Sequence, residues 1–263
     1  MPDDKTGNGA APGAAPNAEG ATAESAGPAG SGRLGGRIAL VTGAGRGLGA
    51  AVARAYAAEG AQVILAGRTV GALEEVYDSI VAAGGAAVGV PIDLARHDRI
   101  DDLAATLYER FGRIDILVAN AAELGTLSPV AHADPKRWQA ILDVNLTANF
   151  RLIRAFDPLL RRSDAGRAIF VTAPQASGEK AFWGAYAASK AGLETLVRMY
   201  AAEVERTAIR VNLVDPGVLS TRLRAHAYPG EKPEDNPAPE TAVGPFLDLA
   251  EATCTRHGEI VRP

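Results

Sequence analysis

The chain has 263 residues, 47% of them hydrophobic and 22% charged, with a formal net charge of −4. That length and apolar share suit a soluble protein that buries a core without covalent staples, and the acidic balance argues against nucleic-acid binding through phosphate contacts. The single cysteine, Cys254, excludes an internal disulfide and fits a reducing, cytoplasmic setting, and no apolar run is long enough to suggest a membrane span.

Residues 1–32 contain nine Ala, seven Gly and four Pro, and no Leu, Ile, Val or aromatic residue. Such a segment has nothing to bury, so it reads as a disordered tail. It lacks the apolar stretch of a signal peptide, and Asp3, Asp4, Glu19 and Glu24 oppose a presequence reading. From Arg33 onward, short apolar runs alternate with helical periodicity. Residues 38–41 read as a strand, 48–59 as a helix, 63–66 as a strand and 73–81 as a helix. Then come a strand at 87–92, a helix at 100–111, a strand at 114–119 and a long helix over 135–160 opened by Pro135. A strand at 168–172, a helix at 186–205, a strand at 210–214, a helix over 242–253 and a short run at 259–261 close the chain. This alternation predicts one α/β domain over 33–263: a doubly wound parallel sheet of about seven strands with helices on both faces, the Rossmann arrangement.

The first strand runs into Thr42-Gly43-Ala44-Gly45-Arg46-Gly47-Leu48-Gly49, and a helix follows at once. Glycines there permit a tight turn and let backbone approach a pyrophosphate, while the helix N-terminus offers free N–H groups. The end of the second strand sorts the two nicotinamide dinucleotides. A carboxylate there would bind a ribose 2′-hydroxyl, but the residues are Gly67 and Arg68. Arg68, aided by Arg46, suits a 2′-phosphate, so NADP(H) is expected over NAD(H). Tyr186 and Lys190 lie four apart on a helix and share a face. An ammonium near a phenol lowers its pKa and makes it a usable acid–base group.

On these motifs, with Asp93-Leu94, Asn120-Ala121, Asn145, the run from Tyr186 to Lys190, and Pro216-Gly217-Val218 with Thr221, the chain from about 35 to 262 resembles the short-chain dehydrogenase/reductase family. The resemblance implies hydride transfer between NADP(H) and a small carbonyl or alcohol. It makes Tyr186 the general acid/base and gives Lys190 the nicotinamide ribose and the depression of the Tyr186 pKa. Asn145, within the long helix, would hold a water of the proton relay. Asp93 would meet the adenine, Asn120 would lie beside the cofactor, and Thr221 would meet the carboxamide. Pairing of the helices at 135–160 and 186–205 between subunits would make a homodimer or homotetramer.

The chain departs from the family at one position that matters. The family carries a serine 13 residues before the tyrosine; here that residue is Ala173. Losing one donor to a developing oxyanion costs about 10²–10³ in rate. Thr172, Gln175 and Ser177 are the possible substitutes, and the sequence does not choose among them. A second departure, Ala122 in place of glycine, requires a negative φ there. Phe182 and Trp183 are candidate walls of a substrate pocket. Residues 222–240 fill the place of a substrate lid, with Pro229, Pro233, Pro237 and Pro239 expected to preclude a regular helix. The scattered histidines and the Cys254–His257 pair do not make a metal site, and no serine-hydrolase elbow is present. The vacancy at 173 leaves a second reading open, in which the protein binds NADP(H) but turns over little.

Overall fold

A computed structural model describes residues 32–263. Apart from Gly32, the predicted tail lies outside the described residues. The elements are β1 (Ile38–Thr42), α1 (Gly47–Ala58), β2 (Gln62–Gly67), α2 (Val70–Ala82), β3 (Ala86–Pro91), α3 (Asp98–Phe111) and β4 (Ile116–Ala119). Then follow α4 (Pro135–Leu142), α5 (Ala148–Leu160), β5 (Arg167–Val171), α6 (Gly184–Val204), β6 (Arg210–Val214), α7 (Arg222–Ala227), α8 (Gly244–Ala250) and β7 (Ile260–Val261). All seven strands pair in parallel in the order β3-β2-β1-β4-β5-β6-β7.

The strands are buried on both faces, which is why they read as unbroken apolar runs. Val41, Val63 and Val118 pack toward Val52 of α1, Val76 of α2 and Phe246 of α8. Leu40, Ile64 and Leu117 pack on the other face toward Ile100 of α3, Phe156 of α5 and Leu193 of α6. Full burial of each such side chain contributes about 1.5–3 kcal/mol. A one-residue slip of β1, whose Val41 pairs with Leu65 and Val118, would exchange these two sets and is disfavoured on both sides.

Charge is buried at the N-terminal ends of the strands. Asp115, fully buried, accepts from the Ile38 N–H at 2.9 Å, the Ser163 hydroxyl at 2.6 Å and the Arg113 guanidinium at 3.0 Å. Arg167 opens β5 and donates to the carbonyls of Gly166 (2.8 Å), Ala208 (3.3 Å), Glu251 (2.9 Å), Ala252 (2.7 Å) and Cys254 (3.2 Å). It thereby fastens the segment after α8 beneath the sheet.

Two expectations need correction. The long helix at 135–160 is two helices joined by a π-helical turn, Asp143–Thr147, and Asn145 sits in that turn. The prolines of 222–240 do not preclude α7. Pro229 restrains only the residue before it, Tyr228, so the six residues Arg222–Ala227 coil freely, capped by the Thr221 hydroxyl, which accepts from the Arg224 N–H at 3.2 Å. Beyond Pro229 the chain makes only short 3₁₀ turns. Ala122 avoids positive φ; the one described non-glycine residue with positive φ is Phe182, at 75°. Among the described residues, no helix is long and apolar enough to cross a membrane.

Candidate active site

Sheet order reverses between β1 and β4, and in such sheets the loops at the carboxyl ends part at the reversal. A groove of about 1130 Å³ opens there. The first turn lines it with Gly43, Gly45, Arg46, Gly47, Leu48 and Gly49. Arg68 enters from the end of β2, Asp93 and Leu94 from the end of β3, and Asn120 and Ala121 from the end of β4. Tyr186 and Lys190 come from α6, and Pro216, Gly217, Val218 and Thr221 from the segment after β6. Two of the expected residues, Thr42 and Asn145, do not line the groove.

Thr42 instead ties the two sides of the groove together. Its hydroxyl donates to the Val118 carbonyl at 3.3 Å and accepts from the N–H groups of Asn120 and Ala121 at 3.0 and 3.1 Å. The Asn120 carboxamide returns a hydrogen bond to the Thr42 carbonyl at 2.9 Å. The glycines answer two local demands. Gly43 has φ +66°, and a Cβ at Gly49 would lie 2.3 Å from the Gly43 carbonyl oxygen, so α1 can dock this close only without a side chain there. The start of α1 has no side-chain cap and no acidic residue in its first turn. Its N–H groups and positive dipole end are therefore left for an anion, and the turn fits a dinucleotide's pyrophosphate.

Next to this turn, the Arg46 guanidinium donates to the Thr69 hydroxyl at 3.2 Å. Arg68 lies 3.7 Å from the carboxylate of Glu123, which also lines the groove. No carboxylate stands at the end of β2, as the sequence indicates, but one reaches Arg68 from elsewhere in the fold. Glu123 arrives from the loop after β4, a neighbour that only the sheet order reveals.

Tyr186 and Trp183 meet edge to face, with ring centroids 5.7 Å apart. The Lys190 ammonium sits 5.9 Å from the Tyr186 ring and donates to the Val171 carbonyl at 2.8 Å. Burial pushes the Tyr186 phenol up to about 12, with the negative charge of Asp215 adding to the shift. Burial also pushes the Lys190 ammonium down to about 8. In the chain alone the Tyr186 shift runs opposite to the depression expected from the lysine, because desolvation and the charge of Asp215 set its direction.

Asn145 is fully buried behind the groove. Its side-chain oxygen accepts from the Glu123 N–H at 2.8 Å, and its amide donates to the Glu123 carbonyl at 2.9 Å and to the Ser189 hydroxyl at 3.0 Å. Ser189 in turn donates to the Tyr186 carbonyl at 2.7 Å. Asn145 thus couples the loop after β4 to α6. The π turn takes its backbone carbonyl out of the regular helix ladder, and the Asn149 amide donates to it at 2.8 Å.

Around the Tyr186 ring, Leu124, Ala173 and Trp183 form a buried apolar wall, extended by Leu223 and Tyr228. Of the two aromatic residues singled out, Trp183 walls the groove, whereas Phe182 is 56% exposed and lies outside it. Leu124 was missed as a site residue, and so was Tyr228, which does not line the groove but packs against the cluster around Tyr186. Tyr228 stands 6.0 Å from Trp183, beneath the Lys180 ammonium (4.5 Å) and the Arg224 guanidinium (3.7 Å). Its only sequence signal was membership of the lid segment.

The profile of the family described as short chain dehydrogenase matches residues 37–232. The chain is 37% identical over 216 residues to the uncharacterised oxidoreductase YciK of Escherichia coli K12, covering 81% of this chain and 85% of that protein. Among solved structures, a short chain dehydrogenase from Pseudomonas syringae aligns with a TM-score of 0.85 at 39% identity, over 92% of this chain and 99% of that one. A short chain dehydrogenase from E. coli CFT073, complexed with NADPH, aligns with a TM-score of 0.83 at 35% identity, over 87% of this chain and 97% of that one. At this identity and coverage the chain belongs to the short-chain dehydrogenase family and is an NAD(P)-dependent oxidoreductase.

Proposed function

We propose that the protein interconverts a carbonyl compound and its alcohol with NADP(H) in preference to NAD(H). The observation that carries this reading is that Tyr186 and Lys190 line the same groove as the glycine turn and the uncapped start of α1. The nicotinamide supplies or accepts the hydride at the substrate carbon. In reduction, the Tyr186 hydroxyl gives its proton to the substrate oxygen as the carbon–oxygen double bond becomes single. A phenol held near 12 is protonated at neutral pH but a weak acid, so its proton moves as negative charge develops on the substrate oxygen. Lys190 holds the ribose hydroxyls with the ammonium hydrogens that Val171 leaves free. Asn145 acts as a positioning residue, through Ser189, on the helix that carries Tyr186.

The preference for NADP(H) is supported by Arg46 and Arg68 at the adenosine end, and by the NADPH in the E. coli CFT073 relative. Glu123, 3.7 Å from the Arg68 guanidinium, acts against it. The apolar wall of Leu124, Trp183 and Leu223 suits a carbonyl flanked by an apolar chain or ring.

A second reading, an NADP(H)-binding protein with little turnover, is favoured by Ala173. NADPH and NADH oxidation across a panel of ketones and aldehydes, with Tyr186→Phe beside the wild type, separates the two. The first reading expects turnover, faster with NADPH, that falls by about 10³ or more in the variant while NADPH binding is kept. Wild-type protein that binds NADPH and reduces nothing would favour the second.

A further inference from the structure

We infer that Gln175 supplies the hydrogen bond to the substrate's carbonyl oxygen that position 173 cannot make. This rests on the carbonyl chemistry proposed above. The side chains packed around Tyr186 are apolar: Leu124, Ala173 and Trp183. An oxygen gaining negative charge beside them has Tyr186 as one donor, and a second donor at such a position is worth about 10²–10³ in rate.

Of the three polar side chains near the vacancy, two are excluded by geometry. The Thr172 hydroxyl donates to the Glu194 carboxylate at 2.7 Å, and Glu194 is only 12% exposed. Thr172 also lines the groove, but its single O–H is committed to Glu194, whose other oxygen pairs with Arg198 at 3.2 Å, so the hydroxyl has no second hydrogen to give a substrate oxygen. Ser177 is exposed and does not line the groove.

Gln175 has what the other two lack. After β5 the chain stays extended through Ala173 and then coils tightly over Pro174–Ala176, where the Ala176 N–H donates to the Ala173 carbonyl at 3.0 Å. Pro174 presets the backbone for that coil. The coil packs against α6, the helix of Tyr186, and Gln175 lines the groove. Gln175 is half-buried, and no hydrogen bond among the described residues engages its carboxamide. Two residues beyond position 173, its Cα lies within about 7 Å of the vacant one, a span that a glutamine side chain largely covers. Its amide has two N–H donors, where a serine hydroxyl has one.

The test is steady-state turnover of the full chain with NADPH, for wild type, Gln175→Ala, Gln175→Glu and the double variant Ala173→Ser/Gln175→Ala. Each variant is checked for NADPH affinity and melting temperature. Gln175→Ala is expected to lower kcat by about 10²-fold with NADPH affinity unchanged. Gln175→Glu keeps the length but has no donor at pH 8, so it is expected to fall at least as far, which a merely structural side chain would not. Serine at 173 is expected to restore at least about tenfold of the loss. Wild-type turnover that depends on Tyr186, with Gln175→Ala within about threefold of wild type, would overturn the role of Gln175 and leave the carbonyl chemistry standing. A wild type that binds NADPH and reduces no carbonyl compound would overturn both.

Discussion

Lys190 carries a charge where water barely reaches it, and this has a cost that can be measured. Its folded pKa, about 8, lies below the ordinary lysine value of 10.5. The folded state therefore holds its proton less tightly than the unfolded chain. The penalty is in full force below about pH 8 and vanishes as pH rises toward 10.5. A shift of this size corresponds to about 3 kcal/mol. Lys190→Met removes the charge but orphans the Val171 carbonyl, which offsets roughly 1 kcal/mol or more. The variant is expected to be inactive, yet more stable than wild type by about 1–2 kcal/mol at pH 7. That advantage should be gone by about pH 10. Urea unfolding of both proteins from pH 7 to 10 checks this, and a variant less stable at pH 7 would refute it. The sequence revealed the closeness of Tyr186 and Lys190, because helix spacing alone fixes it. It did not reveal the direction of the tyrosine's shift, because that depends on how much water the folded groove excludes.

The loop from β5 to α6 holds a bulky residue in a conformation suited to glycine. Phe182 has φ 75°, its carbonyl accepts from the Ser128 N–H at 3.1 Å, and its ring is largely in solvent. Left-handed backbone costs a residue with a Cβ about 1–2 kcal/mol, while glycine loses part of that gain as entropy of the unfolded chain. Phe182→Gly is therefore expected to stabilise the protein by roughly 0.5–1 kcal/mol. Denaturant midpoints would show it, and a drop in stability would mean that the ring packs on something after all. The central strands and most helices were legible because burial on two faces, or on one stripe, writes a period into the sequence. The start of α2 was set three residues late, at Leu73, because Val70 and Gly71 are exposed and carry no apolar period. The π turn at Asn145 was invisible, since inserting it leaves the apolar spacing on either side intact. Glu123 beside Arg68 and the cations over Tyr228 depend on contacts between distant segments, which no local pattern encodes.

On the scale of the molecule, α5 and α6 each carry an exposed apolar side chain, Phe150 at 46% and Met199 at 55%. Single exposed apolar side chains are ordinary on a protein surface; from the family resemblance we propose that the two helices pair between subunits. Light scattering is expected to give two or four times the mass of one chain, and a monomer at micromolar concentration would exclude that pairing. Both the groove and the buried charges are placed by the parallel sheet, but at opposite ends of its strands. Asp115 and Arg167 hold the scaffold together far from Tyr186, whereas Lys190 works in the groove and weakens the fold. Substitutions at the two ends should therefore show up in different columns of a purification table. Changes at Asp115 or Arg167 would lower the yield of soluble protein while the surviving molecules keep their specific activity. Changes at Tyr186 or Lys190 would leave the yield intact and empty the activity column.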